Sequence, residues 1–242
     1  MHTSTHLTGM PHTPSLTADS GGASLHLWQL ISPALPIGAY SYSGGLEYAI
    51  DAGWVDSREG VRAWVGAQLR EVLARLDVPV LARLHAACAG SDTDMDTLRH
   101  WNAVLRASRE SAELQAEDLH LGSALIRLLI DLDVARAREF EATPVTFALA
   151  FALAGSHWGV GLREAAEGYL WAWCENQVAA AVKLVPLGQT DGQRLLLGLI
   201  EDIRSAVDLG LALEDDAIGA SAPGVAMASA LHETQYTRLF RS

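Results

Sequence analysis

Residues 31–50 read ISPALPIGAYSYSGGLEYAI and set the boundary between the first two helices of the chain. Pro33 and Pro36 each fix their own φ angle and push the preceding residue towards extended geometry, so no helix is expected to pass through them. The run 40–43, YSYS, has no core-facing period, and the glycine pair 44–45 frees the backbone before LEYAI, which predicts a new helix. This stretch therefore predicts a helix–helix connection that is stiff at one end and flexible at the other.

The side chains of this connection allow two interpretations. Tyrosine provides a large contact area and a hydroxyl group at a low entropic cost, which is typical of protein interfaces. An ordinary connection between helices has a similar composition, and composition does not distinguish the two. Glu47 falls in the first turn of the following helix, where a carboxylate complements the positive end of the helix dipole.

Outward from this stretch, apolar residues recur at helical spacing and no strand pattern is present. The most apolar segments are 144–153 and 162–185, and both are expected at the centre of the fold. The pattern predicts an all-α protein with a single compact bundle of roughly ten helices. Residues 22–242 are predicted to form one domain, and residues 1–21 a disordered tail.

Four residue patterns predict helix boundaries. Ser57 is a candidate N-cap for the third helix. Pro79 predicts a break or kink near residues 76–78, and Pro144 is predicted at the favoured first position of a helix. Thr190 with Gln193 three residues later fits a capping box.

Composition excludes several classes of function. The net charge of −12 argues against a nucleic-acid partner, because phosphate binding needs a basic surface. Lys183 is the only lysine and does not lie in a glycine loop, so the chain has no P-loop. Two distant cysteines and the lack of a signal peptide predict the cytoplasm. The longest apolar run, 145–154, is too short to cross a membrane.

Candidate metal ligands are few and scattered. The N-terminal histidines at 2, 6 and 12 allow either a metal-collecting tail or a solvated terminus. His85 and Cys88 share a helix face, but no second pair completes a site. The alternating aspartates of 92–96 lack the glycine and the closing glutamate of a calcium loop, and a helix N-terminus explains them better. No resident metal or cofactor is therefore predicted.

No pattern of catalytic residues is present either. Glu113 and Glu117 share a helix face, as many solvated carboxylate pairs do. An alternative prediction is a small helical enzyme with a buried polar pocket, for which Asp118, Glu175 and Asn176 are the candidates. Loops rich in tyrosine, glycine, proline and arginine suit partner binding better than turnover.

Three separate segments resemble the signatures of one family. They are LPIGAYSYSGGLE at 35–47, AAVKLVPLGQTDGQRLL at 180–196 and TRLFRS at 237–242. In this order, and spread over nearly the whole chain, they resemble the UreF family of urease accessory proteins. The resemblance implies an all-α protein without enzymatic activity that helps to insert nickel into apo-urease.

The resemblance also implies partners. Family members act with UreD (also called UreH) and with the nickel-carrying GTPase UreG, whose activity they are proposed to modulate, and they form dimers. It implies a homodimer that binds UreD/UreH, UreG and apo-urease, without contact to nucleic acid or membrane. A metal carrier that uses the N-terminal histidines remains an alternative.

By the same resemblance, Tyr40 and Arg238 are expected near the dimer face, where a tyrosine hydroxyl and an arginine could form a hydrogen-bonded pair. Without it, Arg238 would be interpreted as a solvated charge. Lys183 and the turn at 186–189 either face a partner or simply end a helix. The residues expected at the partner or dimer surface are Tyr40, Ser41, Tyr42, Ser43, Gly44, Glu47, Lys183, Gln189, Arg238, Leu239, Phe240, Arg241 and Ser242.

Overall fold

The regular elements of the protein are helices. The computed structural model describes residues 20–89 and 94–242. The three N-terminal histidines of the predicted tail and Asp92 of the acidic run lie outside the described residues. Within the described ranges there is no strand, which confirms the predicted all-α class.

Ten α-helices occur in this part of the chain. They are α1 Ser20–Leu30, α2 Leu46–Asp51, α3 Arg58–Gln68, α4 Val78–Cys88, α5 Met95–Ala107, α6 Ala112–Asp131, α7 Phe147–His157, α8 Leu162–Leu184, α9 Gln189–Ala212 and α10 Pro223–His232. A π-helical segment, Leu69–Asp77, joins α3 to α4. Short 3-10 turns lie at Ala39–Ser41, Ala135–Phe140 and Asp215–Ala217. None of the described helices is long and apolar enough to cross a membrane.

Helix α7 forms the centre of the core, as its apolar sequence predicts. All its residues from 148 to 155 are buried, and it packs against α4 and α6, while α8 packs against α9. Gly122 of α6 permits a close approach, because a Cβ atom there would lie 2.7 Å from the carbonyl carbon of Thr146. The remaining elements surround this centre and join one continuous hydrophobic cluster.

Of the break or kink predicted at Pro79, the break is wrong, because the chain remains helical through this residue. The Val78 N–H donates to the Leu73 carbonyl in the π pattern, and α4 then starts with Pro79 in its first turn. Proline has no N–H to donate to the carbonyl of Arg75. The Gly219 N–H donates to that carbonyl instead, at 3.1 Å.

The start of α7 also differs from the prediction. Pro144 precedes the helix, because Asn102 binds the extended segment before it. Its amide nitrogen donates to the Pro144 carbonyl, and its oxygen accepts from the Thr146 N–H, both at 2.9 Å. Thr146 then caps α7 by accepting from the Leu149 N–H at 3.4 Å.

Two other predicted helix starts have different outcomes. Ser57 does cap α3, where its side chain accepts from the Gly60 N–H at 3.2 Å. The capping box predicted at Thr190 is wrong, since α9 starts at Gln189 with Gly188 at the N-cap and no side-chain bond there.

Candidate functional site

The glycine pair of the connection brings α2 against α10. Gly45 has a φ angle of 82°, and a Cβ atom there would lie 3.0 Å from the backbone nitrogen of Ser229. A residue with a side chain would therefore be strained and would also meet the backbone of α10. This contact places Glu47 beside the end of α10 and beside the C-terminal segment, residues 237–242.

The C-terminal segment pairs with the connection through backbone bonds. The Arg241 N–H donates to the Ser41 carbonyl at 2.8 Å, and the Ser43 N–H donates to the Ser242 carbonyl at 2.9 Å. The Ser43 hydroxyl also donates to the Ser242 carbonyl, and it accepts from the Glu47 N–H at 3.2 Å. The first and last sequence signatures are thus paired through backbone hydrogen bonds.

The Glu47 side chain binds the backbone of the same segment. Its two carboxylate oxygens accept from the N–H groups of Leu239 and Phe240 at 2.6 and 2.9 Å. The Glu47 side chain is almost fully buried. A buried carboxylate needs such donors, because an unsatisfied charge away from water is costly. Glu47 therefore anchors the segment more than it serves the helix dipole.

His232, at the end of α10, lies between two carboxylates. Its Nε2 atom is 2.9 Å from a Glu47 oxygen and its Nδ1 atom is 2.7 Å from a Glu113 oxygen. The ring is fully buried. Arg238 donates to the other Glu113 oxygen and to the Arg241 carbonyl. We call Glu47, Glu113, His232 and Arg238 the anchor cluster.

Glu117 extends this arrangement by one turn of α6. The Ser242 hydroxyl donates to it at 2.7 Å, and burial raises its pKa to about 7. The interpretation of Glu113 and Glu117 as a solvated pair is wrong, since both carboxylates bind the C-terminal segment. The sequence does contain a signal for this burial, because Glu113 and Glu117 lie on the face of α6 that carries core leucines and points inward.

A cavity of about 460 Å³ opens beside the C-terminal segment. Its walls are mainly apolar and come from α1, the connection, the π segment, α6, α8 and α9. Four residues expected at the partner surface line it, namely Tyr40, Gly44, Lys183 and Gln189. Glu117 also lines it, so the cavity and the anchored segment share a boundary.

Arg109 joins two buried aspartates in the wall of the cavity. Its guanidinium donates to Asp77 at 2.7 and 3.2 Å and to Asp118 at 2.9 Å. Asp77 also accepts from the Tyr169 hydroxyl at 3.1 Å, and Asp118 accepts from the Phe147 N–H at 2.8 Å. Burial opposes the charge of Arg109, but the two carboxylates outweigh it and raise its pKa well above the usual value.

The expected surface residues divide by exposure. Tyr40 is 67% exposed and Leu239 is 64% exposed, whereas Tyr42 is only 4% exposed. The Tyr42 hydroxyl bonds to Nδ1 of His120 at 3.0 Å, and its carbonyl accepts from Asn176. The other exposed members are Lys183, Gln189, Arg238 and Arg241; the other buried ones are Ser43, Gly44, Glu47, Phe240 and Ser242, and Ser41 is intermediate.

The three signatures come together in space. Nζ of Lys183 lies 5.4 Å from the centre of the Phe240 ring, which joins the middle signature to the last one by a cation–π contact. The expected pair of Tyr40 and Arg238 is not formed within the described chain. Arg238 donates to Glu113 and to a carbonyl instead.

The residues of the enzyme alternative also line the cavity. Asp118, Glu175 and Asn176 lie there together, and burial raises the pKa of Glu175. Asp118 and Asn176 are already engaged in the bonds described above. Asp118 and Asn176 therefore stabilise the wall of the cavity.

The possible metal ligands have structural partners. Nε2 of His85 lies 2.9 Å from the Val160 carbonyl, and burial raises the pKa of the Cys88 thiol to about 11. Asp94 caps α5 by accepting from the Thr97 N–H at 3.0 Å. Among the residues with described placement, no group of three or more histidine, cysteine, aspartate or glutamate side chains could hold a metal ion.

Comparison with known proteins gives a consistent result. The family model UreF matches residues 55–200 of this chain. The urease accessory protein UreF of Alkalilimnicola ehrlichii is 55% identical over 229 residues, which cover 94% of this chain and 100% of that protein. The protein of the same name from Chromohalobacter salexigens is 47% identical over 216 residues, with 89% and 93% coverage. That from Alcanivorax borkumensis is 45% identical over 231 residues, with 92% and 100% coverage.

Proposed function

The chain belongs to the UreF family, and from this premise we propose that it supports urease maturation as a scaffold without catalytic activity. It binds UreD/UreH, recruits or modulates the GTPase UreG, and so helps to deliver nickel to apo-urease. It works as a homodimer, in the cytoplasm. Its two buried, unpaired cysteines are compatible with that reducing compartment.

One observation carries this proposal: the backbone of the C-terminal segment is bound by buried side chains, while several of its residues are exposed to solvent. Glu47 and Ser43 fix its backbone, while Leu239 and Arg241 are exposed. Arg238 donates to Glu113 and keeps part of its side chain exposed. A preorganised segment loses little conformational entropy when a partner binds it. Such a segment suits recognition by another protein.

The surroundings of the segment support the same proposal. Tyr236 is fully exposed, and Met227 and Leu231 of α10 are exposed as well. Leu239 and Tyr40 are exposed too, so the segment and the elements around it carry exposed aromatic and apolar side chains in addition to two arginines. Aromatic residues and arginine are the residue types enriched where binding energy concentrates.

The experiment is co-purification of the chain with UreD/UreH and UreG, with urease activation as the second readout. We expect Arg238→Ala to reduce recruitment of UreG by tenfold or more, on the scale of about 1.4 kcal/mol for each factor of ten. Arg99→Ala is the matched control, because Arg99 is exposed on α5 and, among the residues that the structure describes, pairs only with Asp96.

The outcomes are distinct. A folded Arg238→Ala chain that has lost recruitment and activation supports a working surface at the C-terminal segment. Unchanged recruitment and activation by Arg238→Ala would overturn that placement. Light scattering of the purified chain tests the dimer separately, and a monomer at micromolar concentration would contradict that part of the proposal.

A further inference from the structure

His232 is an unusual histidine because carboxylate oxygens meet both of its ring nitrogens. The distances of 2.9 and 2.7 Å to Glu47 and Glu113 are in the range of charge-assisted hydrogen bonds. A neutral imidazole has a single N–H group and can donate to only one of them. The other nitrogen would then present its lone pair to a carboxylate. With two ionised glutamates, both contacts would be hydrogen bonds only if the site held one further proton.

We propose that His232 holds this proton as an imidazolium and positions Glu47 and Glu113 to bind the C-terminal segment. It is a positioning residue for the partner surface, and its functional consequence rests on the function proposed above. When the proton is lost, one carboxylate loses its donor and repels the ring. The bonds of Glu47 to Leu239 and Phe240 then weaken, and the segment is released.

The charges around the ring agree with this assignment. Helix α2 contributes Glu47, α6 contributes Glu113, and the C-terminal segment contributes Arg238. With an imidazolium, the anchor cluster has two negative and two positive charges and is neutral. Without the proton it has a net negative charge around a fully buried ring, which is the unfavourable case for a buried group.

Other groups near the cluster do not replace this proton. Glu117, one turn along α6, accepts from the Ser242 hydroxyl, and burial raises its pKa to about 7, so it titrates in the same pH range. Lys183 of α8 lies over the Phe240 ring. On α10 itself, the Ser229 hydroxyl bonds to the Ser111 hydroxyl at 2.7 Å. No described cation besides Arg238 has a bond to Glu47 or Glu113.

The proposal links the position of the segment to pH. A single proton that is bound only in the docked state changes the docking equilibrium by up to about tenfold per pH unit. Docking is present while Glu47 and Glu113 are ionised and His232 is protonated, and it is lost as the pH rises past the point where His232 releases its proton. A partner that recognises the docked segment would bind with the same dependence.

The test is nuclear magnetic resonance of the full chain with ¹⁵N-labelled histidine. The nitrogen shifts of a ring distinguish an imidazolium from either neutral tautomer. We expect both nitrogens of His232 to be protonated near neutral pH. A neutral tautomer of His232 in the docked chain near pH 6.5 would overturn the proposal. This readout does not involve UreD/UreH or UreG, so the proposed function can fail while the proton assignment holds.

A second measurement tests the positioning role. Amide hydrogen exchange at Leu239 and Phe240 reports docking, and we expect protection in the chain that keeps Glu113 to fall about tenfold per pH unit above the transition. In Glu113→Gln, the glutamine amide can donate to Nδ1 while a neutral His232 donates to Glu47. Both chains carry Glu117→Gln, because Glu117 binds Ser242 and titrates near pH 7. In that background, protection in the Glu113→Gln variant should be independent of pH. Equal pH dependence in both chains, or none in either, would overturn the positioning role.

Discussion

Glu47 and Leu239 are 192 positions apart in the chain and are joined by a hydrogen bond of 2.6 Å. The acceptor is a carboxylate in the first signature, and the donor is a backbone N–H in the last one. The bond gives a structural role to the glutamate that lies two positions after the glycine pair at 44–45. The connection that separates the first two helices, together with Glu47, thus also binds the C-terminal segment.

This relationship predicts the effect of Glu47→Gln. The amide keeps the shape of the side chain but loses the charge, and it presents one acceptor oxygen in place of two. We expect a loss of about 1–3 kcal/mol in the free energy of unfolding, the usual cost of leaving buried polar groups unsatisfied. We also expect faster tryptic cleavage at Arg238 and Arg241. Glu201→Gln is the control, because Glu201 is exposed and pairs only with Arg204. Unchanged stability and cleavage in Glu47→Gln would contradict the anchoring role.

The sequence predicts the helices of this fold better than it predicts the site. The apolar period places α7 and α8 at the centre, and the three signatures indicate which segments belong together. Tyr40 and Tyr42 lie two positions apart in an irregular loop, and sequence periodicity does not say which one is buried. Contacts from His120 and Asn176, on other helices, decide that.

The sequence patterns also do not reveal the role of His232, because that role depends on contacts between distant helices. It is a single histidine at a helix end, and none of its bonding partners is near it in sequence. Glu113 and Glu47 are 119 and 185 positions away. Spacing patterns detect pairs on the same helix, whereas this group is formed by the packing of α2, α6 and α10.

A second prediction concerns Glu117 and pH. Its pKa is about 7 in the folded protein and has an ordinary value of 4.5 when exposed. The folded state therefore binds this proton more tightly, and the contribution to stability is complete below pH 4.5. As the pH rises from 4.5 to 7 the unfolded chain loses the proton first, so the contribution declines, by roughly 3 kcal/mol in total.

Glu117→Gln tests this dependence. Glutamine mimics the protonated acid and still accepts from the Ser242 hydroxyl. We expect the variant to equal the wild type near pH 5 and to exceed it in unfolding free energy by roughly 2–3 kcal/mol near pH 8. Urea unfolding at several pH values measures the difference, with Glu201→Gln as the exposed control. A difference that does not grow with pH would contradict the burial of a protonated Glu117.

A third prediction follows from the Arg109 network. Arg109→Met keeps the length of the side chain but leaves Asp77 and Asp118 buried without a cation. Removal of one partner from a buried ion pair typically costs about 3–5 kcal/mol, because the remaining charge is uncompensated. We expect that loss in urea unfolding at neutral pH. Arg99→Met, at an exposed pair, should change stability by less than about 0.5 kcal/mol. A cost below about 1 kcal/mol for Arg109→Met would mean that water reaches the two aspartates.

The last prediction concerns the approach of α6 to the start of α7. A Cβ atom on Gly122 would lie 2.7 Å from the Thr146 carbonyl carbon, and backbone atoms cannot move aside as a flexible side chain can. Gly122→Ala should therefore push the two helices apart and cost about 1–3 kcal/mol or more in the free energy of unfolding, although alanine is the better helix former.

Gly224→Ala is the matched control. Gly224 lies in the first turn of α10 with nothing within 4 Å of the added atom. Alanine there should be neutral or slightly stabilising, by less than about 1 kcal/mol. Thermal unfolding of the two variants measures both effects. If Gly122→Ala is as stable as Gly224→Ala, the close contact between α6 and α7 does not exist in solution.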